Sequence, residues 1–453
     1  MIRIIDCAEE DPRPLLRARQ SRRDDALTST VSAIIEDVRQ RGDAAVLDSA
    51  RQFDAPGLTA LWASEEEFES VRLHLPRHHQ EAITKAFDRV MRFHEAQLYY
   101  LTETMERHES GESRFPGVPQ VSYSWEEESD HGGTLGQRMI PVASAGIYVP
   151  GGKAVYPSSV LMNVGPANVA MVPKVFVTTP AQSDGTVPDA VLFAASCGYV
   201  SGVLKAGGAA AIAALALGTE SIPRVDVLAG PGNRYVNEAK RQLWGTVGLD
   251  GYAGPSEVCV FADDSANPAF AAADFLTQIE HAEDNAGFLV CRSREILDSI
   301  LLEIERQVTG APREETMRLA MLHESLAIVA RDLGEATDII NHIAPEHLSL
   351  AVEDPERVLP FIDNAGCILV GEWTPESAGD FAAGPSHTLP TGGAARYGSP
   401  VNVMNFFKFQ SVIRFSQGDL EETRDIITTL GEIEGFPAHA AGASVRFAAP
   451  PAE

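Results

Sequence analysis

Gln278 and His281 stand three residues apart in Asn267-Pro-Ala-Phe-Ala-Ala-Ala-Asp274-Phe-Leu-Thr-Gln278-Ile-Glu280-His281. Asn267 suits an N-cap and Pro268 the first helical position, so a helix is expected from there. Phe275, Leu276 and Ile279 form its buried stripe, and Asp274, Gln278 and His281 fall together on another face. Gln278 and His281 could offer an amide oxygen and an imidazole to one cation. The same spacing also fits a plain polar helix face. In Ala344-Pro-Glu346-His347-Leu, two general-base side chains are adjacent. Neighbours on a regular element diverge, so they would serve two steps or two faces rather than one relay; a capped helix start is the structural alternative. The stretch from Glu376 to Pro390 is loop-forming and carries Asp380 and His387. Near the end, Glu434-Gly-Phe-Pro-Ala-His439 matters only if it folds back or reaches a partner subunit. Gln, His, Asp and His would make a mixed nitrogen and oxygen set suited to Zn²⁺ with open positions. The remaining histidines, such as His74, His94 and His323, lie in polar or surface text.

These side chains need elements to hold them. From about residue 140, short β-rich runs alternate with helical stretches: 146–149, 175–179, 225–228, 258–262, 288–291, 327–329 and 367–370. Such alternation predicts parallel α/β sheets in two domains. Glycine-rich turns follow two runs, at Pro150-Gly151-Gly152 and Ala229-Gly230-Pro231-Gly232-Asn233, and Gly254-Pro255-Ser256-Glu257 precedes another. Glycines after a strand let backbone approach a ligand, but the dinucleotide spacing GxGxxG does not occur, and ordinary turns remain the alternative. Residues 1–110 read as helical, with a pattern over 32–47 broken at Gly42 and a second helix over 79–100. Residues 110–137 read as a loop, and Ala206 to Gly218 as a buried helix. Five segments are expected: an extension over 1–26, helices and acidic loop over 27–137, an α/β domain over 138–253, an α/β continuation over 254–390, and a small domain over 391–453.

The 453 residues carry 36 Lys and Arg against 64 Asp and Glu, a net charge of −28. That balance argues against nucleic acid and anionic membrane surfaces as partners. The start, Met1-Ile-Arg-Ile-Ile-Asp, has no signal-peptide pattern, and the five cysteines are scattered with no CxxC, so a cytoplasmic protein with reduced thiols is expected.

The same segments resemble the histidinol dehydrogenase family from about residue 25 to the last turn. The motifs are Gly146-Ile-Tyr-Val-Pro-Gly-Gly, Tyr156-Pro-Ser-Ser-Val-Leu-Met-Asn, Gly230-Pro-Gly-Asn, Ala253-Gly-Pro-Ser-Glu, Gln278-x-x-Glu-His, Ala344-Pro-Glu-His-Leu, Gly379-Asp and His387-x-Leu-Pro-Thr. The resemblance implies two incomplete Rossmann-like parallel-sheet domains with smaller N- and C-terminal extensions, in an intertwined homodimer. It implies oxidation of L-histidinol to L-histidine with two NAD⁺ and one Zn²⁺ per subunit. Carried over, Gln278, His281, Asp380 and His439 are the zinc ligands, His439 reaching the other subunit's site. Ser256, His387 and Glu434 are substrate contacts, Tyr148, Pro150 and Asn233 contact NAD⁺, and Glu346 and His347 are the catalytic pair. A paralogous dehydrogenase of another polar alcohol and a non-catalytic zinc or ligand-binding protein are the alternatives. The sequence departs from the family at Ala210, where Gln is usual, and at Asn168 and Asn163-Val-Gly165.

Overall fold

The computed structural model describes residues 2–19, 24–102, 125–152, 154–251 and 254–448. The described strands are β1 (Arg3–Asp6), β2 (Trp125–Glu128), β3 (Thr134–Pro141), β4 (Ser144–Tyr148), β5 (Lys174–Thr179), β6 (Gly202–Lys205) and β7 (Val227–Ala229). They continue with β8 (Gly248–Leu249), β9 (Glu257–Ala262), β10 (Ala286–Cys291), β11 (Leu326–Val329), β12 (His347–Ala351), β13 (Cys367–Val370) and β14 (Phe407–Arg414). Two compact units result: residues 1–97 with 142–406, and residues 98–141 with 407–453.

The first unit holds two all-parallel sheets, ordered β1-β11-β10-β9-β12-β13 and β6-β5-β4-β7-β8. The parallel α/β class read from alternation is what the chain forms. Glu-Val-Cys-Val-Phe-Ala of β9 and Ala-Gly-Phe-Leu-Val-Cys of β10 are buried at every position, because helices cover both faces of a parallel sheet. Helix Pro268–Ile279 starts as the sequence predicts, with Asn267 accepting from the amide of Ala269 and Pro268 in the first turn. Its Phe275 is fully buried, worth about 1.5–3 kcal/mol of transfer free energy. A Cβ on Gly287 of β10 would stand 2.2 Å from the Phe275 ring, so this glycine lets the helix lie close on the sheet.

On the second sheet, helix Gly208–Leu217 is buried from Ala209 to Ala216. Its alanines let helix Asp25–Arg41 pack Val31, Ile35 and Val38 against it. That helix stops at Gly42, which has φ +53, as the broken pattern predicted.

Two readings are corrected. Glu126-Glu127-Glu128, expected in a loop, pairs as β2 with β3, whose other edge takes β14 in the second unit's antiparallel sheet. One-sided, solvated pairing tolerates acidic side chains that a periodicity argument assigns to loops. The Ala344 to Leu348 segment does not start a helix. Ala344 takes a left-handed conformation, φ 48, at the end of helix Leu333–Ile343, and the chain turns directly into β12. Residues 110–124 of the expected loop, and Ala253 of its motif, lie outside the described residues. No described helix is long and apolar enough to cross a membrane.

Candidate active site

The chemistry-bearing side chains of the first unit gather at the amino edge of the six-stranded sheet. Ser256 immediately precedes β9, and Glu346 and His347 stand where β12 begins beside it. Asn285, which sequence reasoning missed, ties this edge together. Its Oδ1 accepts from the Ser256 amide at 3.2 Å, and its Nδ2 donates to the Gln278 carbonyl at 2.7 Å. The glycine loop is thereby fixed to the end of the helix that carries Gln278.

Asp380 sits at the centre, on the short helix Glu376–Phe381. Gln278 Nε2 donates to its Oδ2 at 3.0 Å, His347 Nε2 lies 3.4 Å from Oδ1, and His387 Nδ1 lies 3.8 Å from the same oxygen. Ser159 Oγ, 3.5 Å from His387 Nε2, and Asn163 Nδ2, donating to Thr388 Oγ1 at 3.0 Å, anchor the His387 segment from helix Pro157–Val169. His281 does not complete a regular helical i, i+3 face: the helix ends at Ile279, and His281 is exposed two residues beyond it. It still bears on the charge of Asp380. Glu434 and His439 belong to the second unit, where both are exposed; Glu434 ends helix Gln417–Ile433 and His439 lies on helix Pro437–Ser444.

Burial dominates the electrostatics. It raises the Glu346 carboxyl to about 8, against the nearby His347 charge and the Glu257 amide, which donates to Glu346 Oε2 at 2.8 Å. Glu376, not singled out from sequence, is wholly buried and is raised to about 8 for the same reason. Burial alone would lower His347, but the carboxylates of Glu376, Asp380 and Glu346 outweigh it and push the imidazole up. Burial also works against an ionised Asp380, yet the His347 hydrogen bond and charge hold it below the usual range.

Among the described residues, no three His, Cys, Asp or Glu side chains form a metal-holding group. The expected set draws only His281 and Asp380 of those types from this unit and adds the Gln278 amide. Three acidic side chains, Glu346, Glu376 and Asp380, surround one buried imidazole, and Gln278 and His387 supply neutral donors. The Gln278 amide, the imidazoles and the Asp380 carboxylate are the mixed nitrogen and oxygen donor types that a divalent cation of the Zn²⁺ type accepts.

A second locus lies on the five-stranded sheet. Its order reverses between β4 and β7, and Tyr148 with Pro150 leaves the carboxyl end of β4 beside the Gly230–Asn233 turn that leaves β7. Open parallel sheets bind ligands at such a switch point. Gly230 has φ +112, and a Cβ there would stand 2.1 Å from the Tyr148 carbonyl oxygen. Asn233 caps helix Arg234–Leu243, accepting from the amides of Tyr235 and Val236. The Tyr148 hydroxyl accepts from the Gly208 amide at 3.1 Å, joining this turn to the start of helix Gly208–Leu217. Ala210, in the first turn of that helix, lines a groove of about 540 Å³ together with Asp37, Arg41, Asp48 and Phe53.

A family model described as histidinol dehydrogenase matches residues 17–447. The chain belongs to the histidinol dehydrogenase family. Histidinol dehydrogenase of Synechococcus sp. is 40% identical over 451 residues, covering 98% of this chain and 99% of its own. That of Geobacter sulfurreducens is 42% identical over 416 residues, 91% of each chain. The crystal structure of histidinol dehydrogenase from Elizabethkingia anophelis matches with a TM-score of 0.85 at 31% identity and covers 98% of both chains. Family membership makes this chain an NAD-dependent oxidoreductase acting on a CH–OH group, the class that the motifs implied.

Proposed function

We propose that this chain oxidises L-histidinol, through L-histidinal, to L-histidine with two NAD⁺, as a cytoplasmic homodimer with shared zinc sites. The observation that carries the reading is the burial of Glu346 and His347 together beside Asp380, Gln278 and His387. Gln278, His281 and Asp380 would hold Zn²⁺ with His439 of the second subunit, and Ser256, His387 and that subunit's Glu434 would hold the substrate. Zinc would supply a Lewis-acid anchor for the substrate's imidazole and amine, and NAD⁺ a hydride acceptor. Tyr148, Pro150 and Asn233 would receive the NAD⁺.

His347 takes the proton of the substrate hydroxyl as hydride leaves its carbon, giving the aldehyde. Glu346 then takes a proton from the water as its oxygen adds to the aldehyde carbon, and the resulting hydrate oxyanion loses the second hydride to NAD⁺ to give the acid. Glu346 suits that second role because burial keeps its basicity close to neutral pH. Two deprotonations at successive oxidation levels give two adjacent bases separate work.

The test is NADH formation from L-histidinol by zinc-loaded protein, then after chelation and zinc return. Two NADH per histidinol, lost on chelation and regained with zinc, is the expected result. Folded, zinc-loaded protein that leaves histidinol unchanged would overturn the reading.

A further inference from the structure

We propose that Glu376 is the positioning residue for His347, holding the imidazole by Nδ1 so that Nε2 is the atom that takes the hydroxyl proton. The inference rests on the reading of His347 as the base of the alcohol step. Glu376 is completely buried, and neither of its carboxyl oxygens makes a hydrogen bond of good geometry, although the Gln278 side chain lies near enough to favour its charged form. His347 Nδ1 is also buried without one, and the two orphans face each other, with Nδ1 3.4 Å from Glu376 Oε1. A buried polar atom left unpaired is costly, so two that face each other across one contact mark a bond used in function. The separation exceeds a hydrogen bond by a few tenths of an ångström, the looseness common before substrate tightens a site.

Glu346 is the competing partner and is less well placed. Its Oε2 is 3.9 Å from Nδ1 and is already engaged by the Glu257 amide at 2.8 Å. Glu376, by contrast, is aimed by a dedicated support. Asp274 Oδ1 accepts from the Glu376 amide at 3.1 Å, and Asp274 Oδ2 accepts from Ser349 Oγ at 2.9 Å. Ser349 lies two residues beyond His347 on β12 and therefore points to the same face of the sheet. Asp274 thus pins the start of helix Glu376–Phe381 to the strand that carries the base. With Nδ1 turned to the Glu376 carboxyl, Nε2 is the ring atom left on the other side, where Asp380 Oδ1 lies 3.4 Å away, and the positive charge the imidazole gains on protonation meets an acidic side chain on each side.

The experiment compares wild type, Glu376→Gln and Glu376→Asp as zinc-loaded holoenzymes. It measures kcat and KM separately for histidinol oxidation to the first NADH and for oxidation of supplied L-histidinal. Glu376→Gln is expected to lower kcat of the alcohol step by about 10²–10⁴-fold, with the histidinol KM within about threefold and the aldehyde step far less affected. Glu376→Asp should recover part of the alcohol step. Equal losses in both half-reactions, or an alcohol step within threefold of wild type, would overturn the positioning role. If Glu376→Gln does not fold, the same contrast between half-reactions is read from Glu376→Asp. Wild-type protein inactive on histidinol would overturn the substrate reading and this inference with it, whereas active wild type with indifferent variants overturns the inference alone.

Discussion

Adding one methyl group at Gly230 should cripple NAD⁺ binding while leaving the six-stranded sheet and its acidic cluster intact. The Cβ of Gly230→Ala would stand 2.1 Å from the Tyr148 carbonyl oxygen and 3.1 Å from the Tyr148 nitrogen. Restoring an ordinary contact requires roughly 1 Å of backbone movement. Gly230 itself is not free to make it. Its amide donates to Asp250 Oδ2 at 2.8 Å, its carbonyl accepts from Lys240 Nζ at 2.6 Å, and Lys240 and Asp250 form a buried ion pair at 2.9 Å. The movement therefore falls on the end of β4, where Tyr148 and Pro150 stand. A side chain at φ +112 adds conformational strain of about 1–2 kcal/mol, and the forced shift a similar amount, so about 2–4 kcal/mol of stability should be lost. Displacing the turn by that distance should weaken NAD⁺ binding at least tenfold, or about 1.4 kcal/mol. Calorimetric titration with NAD⁺, thermal unfolding and zinc content measured on the same preparation make the assay. A folded variant with wild-type zinc and NAD⁺ affinity within twofold would refute the argument that the switch point between β4 and β7 receives the dinucleotide.

Glu346→Gln keeps an acceptor for the Glu257 amide but removes the second base, so it should slow aldehyde oxidation by about 10²–10⁴-fold and spare the alcohol step. Comparable losses in both half-reactions would contradict the division of labour. His439→Ala should lose zinc, and mixing it with Asp380→Ala protein should restore some activity through hybrid sites; no complementation after verified subunit exchange would count against a shared site. Burial raises Asp54 to about 6, only partly offset by the Gly207 amide. A carboxyl that holds its proton more tightly when folded makes stability fall as pH rises from about 4 to about 6, with no further loss above that range. Asp54→Asn should remove this slope, and denaturant melts across that interval that keep it unchanged would rule Asp54 out as its source.

Much of the scaffold was legible because it rests on local physics. The Asn267 cap with Pro268, the break at Gly42 and the apolar runs of β9 and β10 depend on residues close in sequence. A helix start stayed open as an alternative at β12 because Pro-Glu-His-Leu is too short to show a period. Its strand character comes from pairing with β9 and β13 on either side. The acidic β2 was missed for a related reason, since its partner strand decides its conformation. Asn285 and Glu376 left no local signal at all. Asn285 joins Ser256 to Gln278 across a loop, and Glu376 meets Asp274 from 102 residues away.

The sequence by itself determined the parallel α/β class and, through the ordered motifs, the family, because covered strands must be apolar and motif order survives folding. It also named Gln278, Glu346, His347, Asp380 and His387. The tertiary structure alone decided that these meet at the amino edge of one sheet while the Tyr148 and Gly230 turns meet at the carboxyl edge of the other. Only there does burial become a property of each group, raising two glutamates and setting Glu376 against His347. Desolvation and Coulomb interactions depend on distance in space, and a linear chain does not encode that distance locally.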